Sequence, residues 1–432
     1  MDNLEQRIGA EHTPPITKCY VRVTGAVLVP DSSLANTESR KSQYGEEISM
    51  KIISKLAGAL AAVSLLPSAG GALAQVSVGV VVSTTGPGAV LGIPYRNVFE
   101  ILPKEIGGEA VRYVVLDDAS DVTTGVRNAK KLIDENKIDV LVGSNSVPVS
   151  RAMMQVAVES KVPLIVLSPM LLDGVEHPWT FGVPQPMPLM VNAVLEHMKQ
   201  NGVQKLGYIG FADAWGEAVY KTLNPQDVVP GLELTSNERY QRNDVSLTTQ
   251  ALKTIATQPD AVMVGGSGAP GALPHIALSE RGYKGTVYNT HGSVSGDFIR
   301  IGGAHAEAAV APTGPFLFAD QLSDGNPIKP VATKYLTMYD DAYGASARSP
   351  FAGYAFDAYL LLQAALPEAL KTASPGTPEL RQALRDSLET NVKNVVGTQG
   401  IYTMTPQDHN GLDHRARVLV QVKNGKWELM KE

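Results

Sequence analysis

The sequence predicts an α/β fold of two lobes, each a doubly wound parallel sheet, joined by a hinge of several chain crossings. Three observations carry this prediction. Short β-branched runs alternate with stretches of helical period. The alternation halts at a proline-rich segment and then begins again. Apolar residues make up 44% of the chain, enough over this length for a large core divided between two domains.

The elements follow in order. Residues 76–83 (VSVGVVVS) are a β-branched strand ending at Thr85-Gly86-Pro87-Gly88, and residues 112–116 (RYVVL) are the second strand. Residues 124–136 form an amphipathic helix with Val126, Ala129, Leu132 and Ile133 on one face. Residues 140–143 are the third strand, followed by Ser144-Asn145-Ser146 and a helix to about Ser160. Residues 164–167 are the fourth strand, ending at Ser168-Pro169. Strands separated by helices imply a parallel sheet covered on both faces.

The segment VPQPMP, residues 183–188, marks a crossing. Beyond it come a helix from about Leu189, a strand at 205–210 (KLGYIG) and a helix opened by Asp213-Ala214-Trp215-Gly216. Residues 261–264 and 286–288 continue a second sheet. Pro312-Thr313-Gly314-Pro315 is another crossing, before helices containing 334–343 and 354–365. Residues 417–422 and 427–430 read as a hairpin around Asn424-Gly425. The expected division is 75–188 with 317–398 for the first lobe, and 189–316 with 399–432 for the second.

Residues 50–75 (MKIISKLAGALAAVSLLPSAGGALAQ) have the form of an export signal. Lys51 and Lys55 precede an apolar run broken by Pro67, and Ala72-Leu73-Ala74 is a small-residue cleavage site before Gln75. The run is shorter than the ~20 apolar residues that span a bilayer. Gly45-Glu46-Glu47 requires purine-rich codons like those of a bacterial ribosome-binding site. Synthesis is therefore expected to start at Met50, with residues 1–49 a non-native or disordered leader, 50–74 a signal peptide, and a periplasmic product. Cys19, the only cysteine, lies in that leader, so disulfide and thiol chemistry are excluded for residues 75–432. Residues 1–74 hold as many acidic as basic side chains, so the remainder keeps the whole chain's net charge of −6. Mild acidity without a basic patch excludes nucleic acid as partner.

Ligands of open parallel sheets bind beyond the carboxyl ends of the strands, where helix N-termini present unpaired N–H groups. Ser83, Thr85, Ser144, Asn145, Ser146, Ser168, Asp213 and Trp215 occupy such segments. The Ser, Thr and Asp side chains are also ordinary helix caps at these junctions, so only their convergence on one cleft would mark a site. Residues 266–271 (GSGAPG) match G-x-G-x-x-G after a strand, the pattern of a dinucleotide-binding enzyme. The next strand ends in Tyr288-Asn289-Thr290-His291, without the acidic residue that holds a ribose. A cleft-facing glycine loop at Gly266 is the better reading. His409 and His414 match no closed zinc site and read as part of a solvated loop. Residues 75–432 contain no H-E-x-x-H and no G-x-S-x-G elbow, so no enzyme, metal or cofactor is expected.

Several segments together resemble the periplasmic substrate-binding proteins of branched-chain-amino-acid-type ABC transporters, leucine-binding-protein-like, with the type I periplasmic binding fold. They are Ser83-Thr84-Thr85-Gly86-Pro87; LDDASDVTTGVRNAKKLIDENKIDVLVG at 116–143; ESKVPLIVLSP at 159–169; ADAWGEA at 212–218; and SPFAGYAFDAYLLLQAAL at 349–366. The resemblance implies two lobes that close on a small carboxylate and deliver it to the permease subunits of an ABC transporter. A monomer is expected. By motif position the carboxylate falls to Ser146, with Ser168-Pro169-Met170-Leu171 beside it.

Two departures from the family pattern bear on the ligand. The acidic residue that pairs with an amino-acid ammonium falls on Thr290 or, better, on His291, and neither is acidic. An unpaired buried ammonium costs roughly several kcal/mol. The small residues after Ser-Pro are replaced by Met170-Leu171-Leu172, and the motif tyrosine by Trp215, so the pocket is expected to be apolar. Leu91 is expected to add another wall. These changes favour an aromatic or aliphatic carboxylate without an amino group. An amino acid is the alternative if Asp213 or Asp297 supplies the charge. A ligand-sensing receptor domain shares the fold, but no output module is encoded.

Overall fold

The computed structural model describes residues 75–223 and 228–430. The expected leader and signal peptide, residues 1–74, lie outside the described residues.

The first sheet is built from β1 (Val76–Val82), β2 (Glu105–Ile106), β3 (Glu109–Asp117), β4 (Val140–Gly143), β5 (Leu164–Val166) and β6 (Thr180–Gly182). Their spatial order is β2-β3-β1-β4-β5-β6, all parallel except the short β2. The central strand β1 is buried along its whole length, which is why it reads as a continuous run of valines rather than an alternating one. Val80 and Val82 face one core layer, with Tyr95, Phe99 and Phe356. Val81 faces the other, with Leu132, Val149 and Met153. The strand order reverses at β1, with β3 on one side and β4 on the other. A crevice opens at such a switch point, beyond the strand ends.

The connecting helices of this lobe are α1 (Ala89–Ile101), α2 (Val122–Asp134) and α3 (Val147–Ser160). Helix α2 begins two residues before the position expected from periodicity, because Asp121 caps it by accepting the Thr124 N–H at 2.7 Å.

The second lobe contains α4 (Met187–Gln200), β7 (Lys205–Phe211), α5 (Ala214–Thr222), β8 (Glu233–Leu234), β9 (Glu238–Tyr240), α6 (Thr248–Ala256), β10 (Ala261–Gly265), α7 (Leu273–Glu280), β11 (Thr286–Asn289), α8 (Gly296–Gly302) and β12 (Val310–Thr313). The chain then returns to the first lobe through α9 (Ile328–Tyr343), α10 (Ala352–Ala369), α11 (Pro378–Asn391), β13 (Val395–Val396) and β14 (Ile401–Tyr402). It ends in the hairpin β15 (Val418–Lys423) and β16 (Lys426–Leu429). The second sheet runs β16-β15-β12-β11-β10-β7-β8, with β9 also pairing β7. The hairpin turns at Asn424-Gly425, both with positive φ, as a tight two-residue turn requires.

Core membership shows where the chain changes lobes. Tyr335, Phe356, Leu384 and also Ile401, Tyr402 and Met404 pack into the first core, whereas Val420 and Val422 pack in the second lobe. The last passage therefore falls between residues 405 and 417. Three passages meet at one buried knot. The Gln185 amide donates to the carbonyls of Gln399 (3.2 Å) and Ala416 (2.6 Å) and accepts from the Tyr354 hydroxyl. Gly314, from the middle passage, packs so closely that a Cβ there would lie 1.7 Å from Gln399 Oε1. Asp357, fully buried, accepts the N–H groups of Thr398 (2.6 Å) and Gln399 (3.0 Å) and the Tyr402 hydroxyl (2.9 Å). Among the described residues no helix is long and apolar enough to cross a membrane.

Candidate ligand-binding cleft

In the first lobe the ends of β1, β3, β4 and β5 converge as the topology demands. Most of the small polar groups there are turned inward. Asp118 is fully buried and accepts the hydroxyls of Ser83 and Ser144, each at 2.6 Å, and the Ser120 N–H at 2.8 Å. Hydrogen bonds to a charged acceptor contribute about 1.5–3 kcal/mol each, so Asp118 ties the ends of β1, β3 and β4 together. Asn145 accepts the Ser83 N–H at 2.8 Å and donates to the Gly88 carbonyl at 3.3 Å. The Ser168 hydroxyl donates to that of Ser150 at 2.8 Å, and Ser150 in turn bonds both the N–H and the carbonyl of Ser144. Ser83, Ser144 and Ser168 therefore serve the scaffold behind the cleft. Thr85 is exposed and donates to Asp117 at 2.6 Å. Burial opposes the Asp117 charge, yet bonds from Thr85, Ala119 and Thr84 outweigh it and hold the carboxyl below its ordinary range.

Ser146 is different. It is the N-cap residue of α3, but its side chain makes no capping bond, and its hydroxyl has no hydrogen-bond partner among the described residues. Its backbone N–H is held by the Ser144 hydroxyl at 3.1 Å. A free hydroxyl at the start of a helix of 14 residues, where the dipole favours negative charge, can receive an anion.

Beside it, Met170 is half-buried against the first lobe's second core layer, and Leu171 is 67% exposed. Leu172 is buried in that layer and is not available to a ligand. Leu91 also turns partly into the first core.

The Met170–Leu172 backbone is held from far along the chain. The Asn410 side chain donates to the Met170 carbonyl and accepts the Leu172 N–H, both at 2.9 Å. Neighbouring His409 is fully buried, so the expected solvated loop is corrected here. Its ring stacks on Phe181 at 4.1 Å and bonds the Thr180 carbonyl (2.8 Å) and Glu389 (2.9 Å). His414 is exposed. Among the described residues no group of three or more His, Cys, Asp or Glu side chains is arranged to hold a metal.

The facing wall in the second lobe is built on Trp215 and His291. Asp213 caps α5 by accepting the N–H groups of Trp215 (2.9 Å) and Gly216 (3.2 Å), which fixes the indole. Trp215 Nε1 donates to the Gly266 carbonyl at 3.2 Å, and its ring meets the His291 imidazole with centroids 5.3 Å apart. The same Gly266 carbonyl accepts the Thr290 hydroxyl at 2.6 Å, and Gly268 N–H donates to Gly292 O at 2.8 Å. The glycine loop is thus folded onto its neighbours. His291 is 6% exposed, its Nδ1 is enclosed without a partner, and burial pushes its pKa down to about 4. The ring is neutral at physiological pH.

Both acidic candidates for an ammonium partner are already engaged. Asp213 pairs with Arg242 at 2.6 Å, and Asp297 with Arg300 at 2.9 Å. The lobes approach each other between α3 and α5, the helices that begin after Ser146 and Asp213.

The sequence reading did not assemble a second space between the lobes. A cavity of about 340 Å³ is lined from the first lobe by Val90, Pro94, Arg348 and Phe351 and from the second by Gly296 and Arg300. Of these positions only Phe351 falls in a segment that the family resemblance singles out, residues 349–366.

Two sheets joined by three passages, with a polar helix start on one lobe and an aromatic wall on the other, form the architecture of a two-lobed binding protein. A sequence profile of periplasmic binding proteins matches residues 75–426. An extracellular ligand-binding receptor of known structure from Rhodopseudomonas palustris HaA2 is 43% identical. It superposes with a TM-score of 0.79, over 83% of this chain and 100% of that one. Leu/Ile/Val-binding protein homolog 3 of Brucella melitensis biotype 1 is 24% identical over 268 residues, 59% of this chain and 72% of its own length. LivJ, the branched-chain amino acid transporter substrate binding protein of Streptococcus pneumoniae, was solved with isoleucine. It is 18% identical, with a TM-score of 0.68 over 83% of this chain and 100% of its own, and shares the fold. The chain belongs to the periplasmic binding protein family and has the type I periplasmic binding fold. Members of this family are solute-binding proteins and not enzymes.

Proposed function

We propose that this protein is the solute-binding component of an ABC importer. Exported to the periplasm by the signal that starts at Met50, it captures a small hydrophobic or aromatic carboxylate by lobe closure and delivers it to membrane permease subunits. The observation that carries this reading is the second-lobe wall. A neutral, buried His291 lies against Trp215, while Asp213 and Asp297 are each neutralised by an arginine. A ligand ammonium placed there would be desolvated without a counter-charge, whereas an aromatic or branched apolar body would stack on Trp215. The free Ser146 hydroxyl at the start of α3 supports a carboxylate anchored to the first lobe. Binding needs no cofactor, and the energy of import comes from the transporter.

A thermal-shift screen of amino acids, benzoates, phenylpropanoid acids and short fatty acids tests this reading. A ligand that binds only the folded state raises the apparent stability with its concentration and affinity. Stabilisation by the acids without amino groups is expected. Stabilisation by leucine, isoleucine or valine alone would favour the branched-chain amino acid reading that the names of the Brucella and Streptococcus relatives carry.

A further inference from the structure

The cavity of about 340 Å³ between the lobes is lined by residues that are chain neighbours of the candidate cleft on both lobes. On the first lobe, Asn145 bonds the Gly88 carbonyl, and α1 leads from Gly88 directly to Val90 and Pro94 in the cavity wall. On the second, the loop that carries His291 runs on to Gly296 in the opposite wall. On each lobe the cavity wall thus begins within a few residues of a group in the candidate cleft. The volume lies within the roughly 300–1,000 Å³ range of small-molecule pockets.

The chemistry of the walls is specific. Val90, Pro94 and Phe351 present apolar surface, and Val90 is 48% exposed. Ser295, Asp297, Ser349, Arg300 and Arg348 also line it, and each arginine is paired with an aspartate, Asp297 and Asp340 respectively. With its charges already paired, such a cavity suits an uncharged body that is largely apolar. Resting on the reading of the cleft as a carboxylate site, we infer that this cavity is a subsite for the distal end of an elongated ligand. The protein then selects carboxylates whose aryl group stands on a tether, in preference to compact acids.

Gly296 makes the inference testable. It lines the cavity, and a Cβ added there would meet nothing within 4 Å, so a larger side chain grows into the cavity without strain. Benzoate, 3-phenylpropanoate and 5-phenylpentanoate are titrated calorimetrically against the wild-type protein and the Gly296→Leu variant. The wild type is expected to bind the tethered acids more tightly. Gly296→Leu should weaken 5-phenylpentanoate at least tenfold and leave benzoate within about twofold. Val90→Trp, which fills the cavity from the first lobe at an exposed position, should reproduce the pattern. Equal affinity of both variants and wild type for 5-phenylpentanoate, or equal weakening of all three acids, would overturn the subsite. If the wild type bound none of the acids, the carboxylate reading itself would fail.

Discussion

Trp215 and His291 meet in a tilted contact on the second-lobe wall, their centroids 5.3 Å apart and their planes inclined by 56°. The indole N–H is held by the Gly266 carbonyl, and the residue's backbone N–H by the Asp213 cap. On the proposed reading, the contact puts a large apolar ring and a neutral imidazole at the position where the family resemblance would place an acidic residue. Trp215→Ala should therefore weaken binding of aryl carboxylates by tenfold or more, and of short aliphatic acids much less. Titration calorimetry on one member of each class checks this, and an equal loss for both would remove the indole from the site.

His291 also sets the pH behaviour. Its pKa is held down to about 4 by burial, so it stays neutral as the solution passes the ordinary histidine range near 6.5. Ligand affinity should be flat between pH 5.5 and 8. An inflection near 6.5 that disappears in His291→Gln would mean that the ring ionises within the working range.

Ser146 offers a separation of binding from stability, because its hydroxyl bonds nothing among the described residues. Ser146→Ala should lower carboxylate affinity about tenfold, the equivalent of ~1.4 kcal/mol, with an unchanged urea-unfolding midpoint. Asp118→Ala is its counterpart. It strands the buried Ser83 and Ser144 hydroxyls and should destabilise the fold by about 3 kcal/mol or more. A ligand-free Asp118→Ala protein as stable as the wild type would show that the carboxylate does not bind the strand ends together.

The hinge carries its own proton linkage. Burial raises the pKa of Asp357 to about 6, and the bonds from Thr398 and Gln399 only partly offset it. The folded state therefore binds a proton more tightly than the unfolded chain does. Asp357 contributes stability that is fully present below its unfolded value near 3.9 and is lost as the pH rises through 6. Denaturant unfolding between pH 4 and 7 should show this decline in the wild type, and a shallower one in Asp357→Asn. Parallel profiles would contradict the linkage.

The fold was legible because its signals are local. The β-branched run of β1, the Asp213 cap and the Asn424-Gly425 turn each act within a few residues, and the proline-rich crossing at 183–188 separates the two series. The site was legible only as a set of strand ends. Whether Ser83, Ser144 and Ser168 face a ligand or a buried partner depends on Asp118 and Ser150, which the sheet brings close from 18 to 35 residues away. The aspartate pair at 117–118 was a signal that could have been read as a scaffold. The knot of Gln185, Gly314 and Gln399, and the burial of His409 against Phe181, join segments about 80 to 230 residues apart, beyond any periodicity.

The central claim is that the cleft receives a carboxylate and refuses an ammonium. Calorimetric titration with two matched pairs tests it most directly: 3-phenylpropanoate against phenylalanine, and 4-methylpentanoate against leucine. Each pair differs only by the α-amino group. The proposal predicts binding of at least one desamino acid, with its amino counterpart weaker by a hundredfold or more, as an unpaired buried charge requires. Tighter binding of leucine or phenylalanine than of the matching acid would contradict it.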